Sequence, residues 1–357
     1  SIEKAQRTSG LEITSALVSL AGSHVSAMNS RGVVGINGGV ITEDDVYRAL
    51  DAAQAVAMPH NREIIHVIQR GFTVDGQDGI QTPVGFSGFR LEVEAHIITA
   101  ASATVENLRQ CVQSCGVDVL AFVLNPLASA EVVLNKTERE MGVCICDIGG
   151  GTSDLALYIN GDVWHTNVLP VGGNHITQDI AIGLRIPPEQ AEQIKKQYGY
   201  AVKADVGENE FFTLKTFGDD QPQQISRRDL AHIIEARVEE IFQLLHQEIR
   251  RSGYDSLLPA GMVLTGGTSL LPGIRQVASR VLNMPVRIAR PENLVGLVDQ
   301  LQSPAYATSV GLLKWSELME TTTSAVPQSR HASHIPSMKG VNVNWDKVKN
   351  WLSRLLP

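Results

Sequence analysis

Apolar residues recur along this chain with two spacings. Short apolar or alternating runs predict strands at Ala16 to Gly22, Ile64 to Ile68, Leu91 to Ile98, Val119 to Val123, Glu210 to Thr216, Met262 to Thr265 and Pro285 to Ile288. Helical spacing predicts helices over residues 1–13, Thr42 to about Met58, Thr104 to Cys115, Ile176 to Gly183, Pro188 to Gly199, Arg227 to Arg251 and Tyr306 to Leu318. Thr42 and Asp45 form a capping-box-like start, with Pro59 beyond the end. In the longest helix Leu230, Ile233, Ile234, Val238, Ile241, Phe242, Leu245 and Ile249 make one stripe. At the centre, Val143-Cys144-Ile145-Cys146-Asp147-Ile148 runs into Gly149-Gly150-Gly151, and Thr152-Ser153-Asp154-Leu155-Ala156-Leu157-Tyr158 leads away. That pattern predicts a β-hairpin with a bare backbone tip.

Texture divides the rest. From Gly22 to about Ala100, short strands, one amphipathic helix and a Gly/Pro-rich loop (Gly79 to Gly88) suggest an α/β insertion with its own core. A second insertion-like block spans about His175 to Ala260. Thr321 to about Asn344 has the composition of a flexible linker. The last residues place Trp345, Val348, Leu352, Leu355 and Leu356 on one helical face, with Trp351 at its edge and Lys347, Lys349 and Arg354 elsewhere.

A chain of 357 residues is long enough for two or three domains. The net charge of −8, without a basic patch, argues against nucleic-acid binding. Cys111, Cys115, Cys144 and Cys146 fit no zinc spacing, so buried, reduced thiols are expected. No stretch approaches transmembrane length and no signal peptide is recognised, so a cytoplasmic, reducing compartment is expected. Opening on Ser1 inside an apparent helix suggests a fragment.

The glycine hairpin carries the candidate chemistry. Three Cβ-free residues allow positive φ and close approach, and their N–H groups can form a phosphate nest, with Thr152 and Ser153 adding hydroxyls. Asp147 is placed to hold the water shell of magnesium. Equally, such a tip can be a tight turn that binds nothing. Gly172-Gly173 and Gly266-Gly267 end two further strands. Three such ends favour two walls of a nucleotide cleft, while neither a Walker A motif nor G-x-G-x-x-G opening a βαβ unit is present.

The string Asp147-Ile148-Gly149-Gly150-Gly151-Thr152-Ser153-Asp154 resembles the second phosphate motif of the actin, sugar-kinase and DnaK-type chaperone superfamily. Val263-Leu264-Thr265-Gly266-Gly267 resembles its adenosine motif. Asn125 to Ala130 and Tyr306 to Gly311 resemble its two connecting helices. Within the superfamily the resemblance narrows to the bacterial cell-division FtsA family. Residues 22–100, with Pro83-Val84-Gly85 and Ser87-Gly88, look like that family's 1C subdomain, and the tail looks like its membrane-targeting helix.

The resemblance implies an α/β, actin-like (ribonuclease-H-like, duplicated) fold with a 1C insertion, lacking the family's opening phosphate hairpin. The implied division is 1–21 with 101–130 (part of subdomain 1A), 22–100 (1C), 131–174 with 262–320 (2A, returning to 1A) and 175–261 (2B), then linker 321–344 and membrane helix 345–357. It implies ATP and Mg2+ as ligands: Asp147 on hydrated magnesium, Gly149, Gly150, Gly151, Thr152 and Ser153 on phosphates, Gly172 and Gly173 near phosphates and sugar. Glu192 and Lys195 resemble the ribose-contacting pair, though spacing alone suits a surface ion pair equally. Gly266, Gly267 and Thr268 would pack on adenosine. Asn125 stands near the usual water-orienting Glu or Gln; a shorter amide is a poorer positioner and no base, so hydrolysis is expected to be weak or absent.

The implied partners are the FtsZ C-terminal peptide, with Arg227, Arg228 and Arg237 as contacts, other copies in a protofilament, other divisome proteins and anionic membrane lipid. The implied place is the cytoplasmic face of the inner membrane at the division site. Physics supports the tail independently: three basic residues against one acidic from Trp345 to Pro357, beside two tryptophans, describe an interfacial helix. Polymerisation would add avidity. Two other readings are an actin-fold ATPase or chaperone, and a protein like the pilus-assembly protein PilM.

Overall fold

The computed structural model describes residues 2–55, 59–215, 221–292 and 301–323. The first third runs α1 (Ile2–Ser9), β1 (Ser15–Leu20), β2 (Val25–Gly35), α2 (Glu43–Gln54), β3 (Arg62–Val74), β4 (Gln77–Ile80), β5 (Arg90–Ala101) and α3 (Ser102–Gln113). The middle continues with β6 (Asp118–Leu124), α4 (Asn125–Val133), α5 (Lys136–Met141), β7 (Val143–Ile148), β8 (Ser153–Ile159), β9 (Asp162–Leu169), α6 (Gly173–Leu184) and α7 (Pro188–Tyr198). Then follow β10 (Phe211–Leu214), β11 (Gln223–Ser226), α8 (Arg227–Ser252), β12 (Met262–Thr265), α9 (Ile274–Leu282), β13 (Val286–Ile288) and α10 (Ala307–Thr323).

Strand alternation organises the centre. The five-stranded sheet has the order β13-β12-β7-β8-β9, parallel across β13-β12-β7 and antiparallel across β7-β8-β9. Every residue of β7 and β8 is buried, as expected when both faces of a sheet are covered. Cys144, Cys146, Ile148, Leu155 and Leu157 enter one core, against α6, α7, α8 and α9. Val143, Ile145, Ala156 and Tyr158, pointing the other way, enter a second core with α4 and α10. In that core the helices approach very closely: a Cβ on Gly311 would lie 1.9 Å from the Ala128 carbonyl oxygen. The small residues that open α10, Ala307, Ser309 and Gly311, suit this close packing. Parallel strands β1 and β6 border this second core.

The block expected to hold short strands instead forms a long four-stranded antiparallel sheet, β2-β5-β3-β4, with strands of up to 13 residues. Polar and glycine residues within β2 and register shifts in β3 hide its length in the sequence. Helix α2 covers one face and completes a third core. Its Thr42–Asp45 capping box forms as expected; Met58 lies outside the described residues. The hairpin β10–β11 replaces the single expected strand, because Gln223–Ser226 carries little apolar signal.

Two buried histidines dock this sheet on the body. His66 Nε2 accepts the Leu124 N–H at 3.0 Å. His96 holds Asn29 Oδ1 at 2.7 Å through Nδ1 and Thr166 Oγ1 at 2.9 Å through Nε2. Both buried imidazoles are satisfied by hydrogen bonds to the body, as their strand positions suggest. For the cysteines the expectation holds only in part: Cys144 and Cys146 are buried, whereas Cys111 and Cys115 are exposed. The reason is that α3 buries only Val105, leaving its C-terminal end to solvent.

Burial lowers the pKa of His66 to about 4 and that of His96 to about 3. The unfolded chain therefore takes up protons as pH falls through about 6.5 while the folded chain does not, so stability falls with pH in that window. Between pH 7 and 5 each histidine should remove on the order of 2 kcal/mol. Replacing His96→Gln should flatten the dependence of urea unfolding on pH by about one proton's worth; equal slopes in native and variant protein would contradict this.

Candidate functional site

The register of the central hairpin places two carboxylates face to face, Asp147 at the end of β7 opposite Asp154 in β8. Helices α4 and α10 each send a hydroxyl to the first of them. Ser129 Oγ donates to Asp147 Oδ2 at 2.6 Å and Thr308 Oγ1 to the same oxygen at 2.8 Å. Asp154 Oδ2 accepts from Thr152 Oγ1 at 3.0 Å and from Asn125 Nδ2 at 3.5 Å, the latter a long contact. Burial pushes the Asp147 carboxyl up, against the two hydroxyls. It pushes Asp154 up to about 7, with help from the neighbouring Asp147. Asp154 Oδ1 and Asn125 Oδ1 are buried without a hydrogen-bond partner. Orphaned acceptors beside paired acids suit a hydrated hard cation. Among the described residues no cluster of three or more His, Cys, Asp or Glu forms a metal site.

At the hairpin tip the expected positive φ is not found at Gly149, Gly150 or Gly151. Of the three, only Gly150 is crowded, where an added Cβ would stand 3.1 Å from Asn174 Oδ1, and the tip approaches its neighbours through backbone carbonyls. Gly149 O accepts from Gly173 N at 2.9 Å and Thr268 Oγ1 at 2.8 Å, and Gly150 O accepts from Asn174 N at 2.7 Å. Because each trans peptide points its C=O and the following N–H in opposite directions, the N–H groups of Gly150 and Gly151 are turned away from α6. The counterpart at Gly172 has no room at all: a Cβ there would sit 2.7 Å from Gly149 O and 2.8 Å from Gly150 O.

The other glycine-bearing ends close around this tip. Gly266 takes φ +84° and passes so close to the acids that a Cβ would stand 2.4 Å from Asp147 Oδ1. Thr268 bonds to Gly149 O, and Gly267 opens the 3-10 turn Gly267–Leu270 that carries that threonine. Lys195 Nζ, from α7, donates to Gly173 O at 3.0 Å and Thr177 Oγ1 at 2.8 Å and pairs with Glu192 at 2.5 Å. Although burial opposes it, hydrogen bonds from Lys195 and Thr177 hold Glu192 below the usual carboxylate range. This pair is anchored to the α6 N-terminus that carries Gly172 and Gly173.

Thus Asn125, Asp147, Gly149 to Ser153, Gly172, Gly173, Glu192, Lys195 and Gly266 to Thr268 form one connected region. Ser153 faces inward, with its Oγ on Val171 O at 2.8 Å. The three arginines lie apart, each paired with an acid of this chain: Arg227 with Glu210 at 2.5 Å, Arg228 with Glu208, and Arg237 with Asp179 at 2.5 Å. The tail residues Trp345 to Leu356 lie outside the described residues. A groove of about 310 Å3 beside the C-terminal ends of α8 and α9, lined by His246, Leu258, Leu282 and Met284, shares no residue with the acid pair. Sequence reasoning missed Asp154, Ser129, Thr308 and Thr177 as members of the site. A signal existed for Asp154, since an acid at each end of a glycine turn is brought opposite by hairpin register.

The family model described as Cell division protein FtsA matches residues 144–311, and that of the SHS2 domain inserted in FtsA matches 22–99. A Cell division protein FtsA of Pseudomonas aeruginosa is 40 % identical over 98 % of this chain and 84 % of its own length. That of Escherichia coli K12 is 36 % identical over 99 % and 84 %. The chain belongs to the FtsA family. The fold common to the FtsA family and other actin-like proteins is also visible in solved structures. The PilM–PilN type IV pilus biogenesis complex matches with TM-score 0.61 at 16 % identity, covering 87 % of this chain and 82 % of that one. MreB5 of Spiroplasma citri bound to ADP matches with TM-score 0.50 at 20 % identity, covering 64 % and 69 %. Both likenesses show the actin-like fold alone; the sequence relationship lies with FtsA rather than PilM.

Substituting Gly172→Ala should cost roughly 1–3 kcal/mol, because the methyl group meets two backbone carbonyls that cannot move independently. Gly151, where an added Cβ would meet no atom within 4 Å, should accept Ala within about 0.5 kcal/mol. Thermal unfolding of the two variants checks the contrast; equal stability would contradict the packing account.

Proposed function

We propose that this chain is an actin-like cell-division protein that binds ATP with Mg2+ at the acid-flanked glycine hairpin. As a polymer on the cytoplasmic face of the cell membrane at the division site, it tethers FtsZ filaments there through its C-terminal amphipathic helix. The family relationship supports the cell-division role, since its FtsA relatives carry that description. One observation carries the ligand: with the Gly149 and Gly150 carbonyls tied back to α6, the following N–H groups are directed outward beside the paired Asp147 and Asp154.

In this reading Asp147 holds the water shell of magnesium, and the partnerless oxygens of Asp154 and Asn125 accept from the same shell. The Gly150 and Gly151 amides, with Thr152, hold phosphate oxygens, Glu192 and Lys195 meet the sugar, and Gly266 to Thr268 back the adenosine. The cation would neutralise a carboxylate pair that burial leaves poorly solvated. Asn125 orients but cannot take a proton, so the nucleotide serves assembly and conformation more than turnover. An actin-fold ATPase is the rival class, separated by a phosphate-release rate near the ~10 s⁻¹ enzyme median.

For the tether, the supporting features are the two tryptophans and net basic charge of residues 345–357 on a chain of net charge −8. For the FtsZ peptide, Arg227, Arg228 and Arg237 are each paired with an acid of this chain, which suits an acidic peptide competing for the same guanidinium groups.

Two measurements test this. Gly151→Ala should leave stability intact and weaken ATP·Mg2+ binding at least about tenfold, because a methyl group would intrude among the phosphate-facing amides; unchanged binding would remove the nest. Deleting residues 345–357 should move the protein from the pellet to the supernatant in co-sedimentation with anionic vesicles. Equal pelleting of both forms would remove the tether.

A further inference from the structure

One side chain of the inserted sheet reaches both helices that seat the acid pair. The register of β3 against β5 shifts between Ile64 and His66, a bulge that re-aims the following side chain. His66 is thereby buried in the body, where its Nε2 accepts the backbone N–H of Leu124 at 3.0 Å. Its ring stands 5.9 Å from that of Trp315, tilted by 60°. Leu124 is the N-cap of α4, which starts without a side-chain cap and with a proline in its first turn. Trp315 belongs to α10.

These helices contribute Ser129 and Thr308, the two hydroxyls on Asp147 Oδ2. Asn125, the residue after Leu124, faces Asp154. An imidazole that accepts a hydrogen bond must keep its Nε2 lone pair, and burial does so by holding the ring neutral. The path from the inserted sheet to the acids is short: ring to Leu124 amide, then the adjacent Asn125.

We infer that His66 is a positioning residue through which the inserted sheet sets the place of Asn125, Asp147 and Asp154, and so tunes the Mg2+-dependent part of nucleotide affinity. The inference rests on the nucleotide reading proposed above. Coupling of this kind is reciprocal, so ATP·Mg2+ must in turn tighten the contact between β3 and the α4 start.

The test uses the full-length protein, with ATP binding measured in excess Mg2+ and in EDTA. His66→Leu fills the site but accepts no hydrogen bond. It should weaken binding in Mg2+ about tenfold while changing binding in EDTA less than about twofold. His66→Gln, whose Oε1 can accept the Leu124 amide, should recover binding in Mg2+ to within about threefold of native. A merely structural histidine would lower both affinities together, or neither, and either result overturns the inference. So does a Gln variant no better than Leu. If His66→Leu does not fold, hydrogen exchange on the native protein decides. ATP·Mg2+ should slow exchange in residues 62–74 as well as in 119–125, and protection confined to 119–125 overturns the coupling. Native protein that binds no ATP·Mg2+ would strike down the nucleotide reading itself and the inference with it; a native protein that binds while the variants show no Mg2+-specific split strikes down only the inference.

Discussion

Two carboxylates buried side by side are the constraint on which this region depends. Asp147 and Asp154 face each other across a hairpin whose strands have no exposed residue. Burial raises the pKa of both, the neighbouring Asp147 adds to the rise at Asp154, and hydroxyls from Ser129, Thr308 and Thr152 offset only part of it. The hairpin, α4 and α10 converge on the acids because each supplies one of those groups. The close helix crossing at Gly311 and Ala128 keeps Ser129 and Thr308 within 2.9 Å of one another.

Sheet alternation carries the same geometry outward. Odd and even residues of β7 feed separate cores, as do those of β8 and β12, so the two cores meet across the central sheet that carries the site. At the hairpin tip the backbone carbonyls of Gly149 and Gly150 are tied to α6 and Thr268. The inserted sheet meets this arrangement from the side, through neutral histidines that bond to Leu124 and Thr166 and through Arg70, whose buried guanidinium lies over the Trp164 ring.

Much of this was legible in the chain. An unbroken apolar run into three glycines marked the hairpin, and the repetition of glycine-bearing strand ends marked the walls that Gly172 and Gly266 build. Why glycine is needed was not legible. The triplet's conformations are ordinary, whereas Gly172 is confined by carbonyls of Gly149 and Gly150 that lie more than twenty residues away in sequence. Such steric demands belong to tertiary approach and leave no local pattern. Likewise, Ser129 and Thr308 looked like small packing residues, because only the fold brings α4 and α10 to the same carboxylate. The long strands of the inserted sheet were hidden by polar residues and a bulge, and the exposure of Cys111 and Cys115 by a helix that buries a single valine.

The central claim is that the acid pair holds a divalent cation with the nucleotide. Electron paramagnetic resonance with Mn2+ in place of Mg2+ tests it most directly, by counting bound cation on the ATP-loaded protein. The account predicts one tightly held Mn2+ per chain in the native protein, and a loss of affinity of at least about tenfold in a folded Asp147→Asn variant. Equal Mn2+ binding by the two would contradict it.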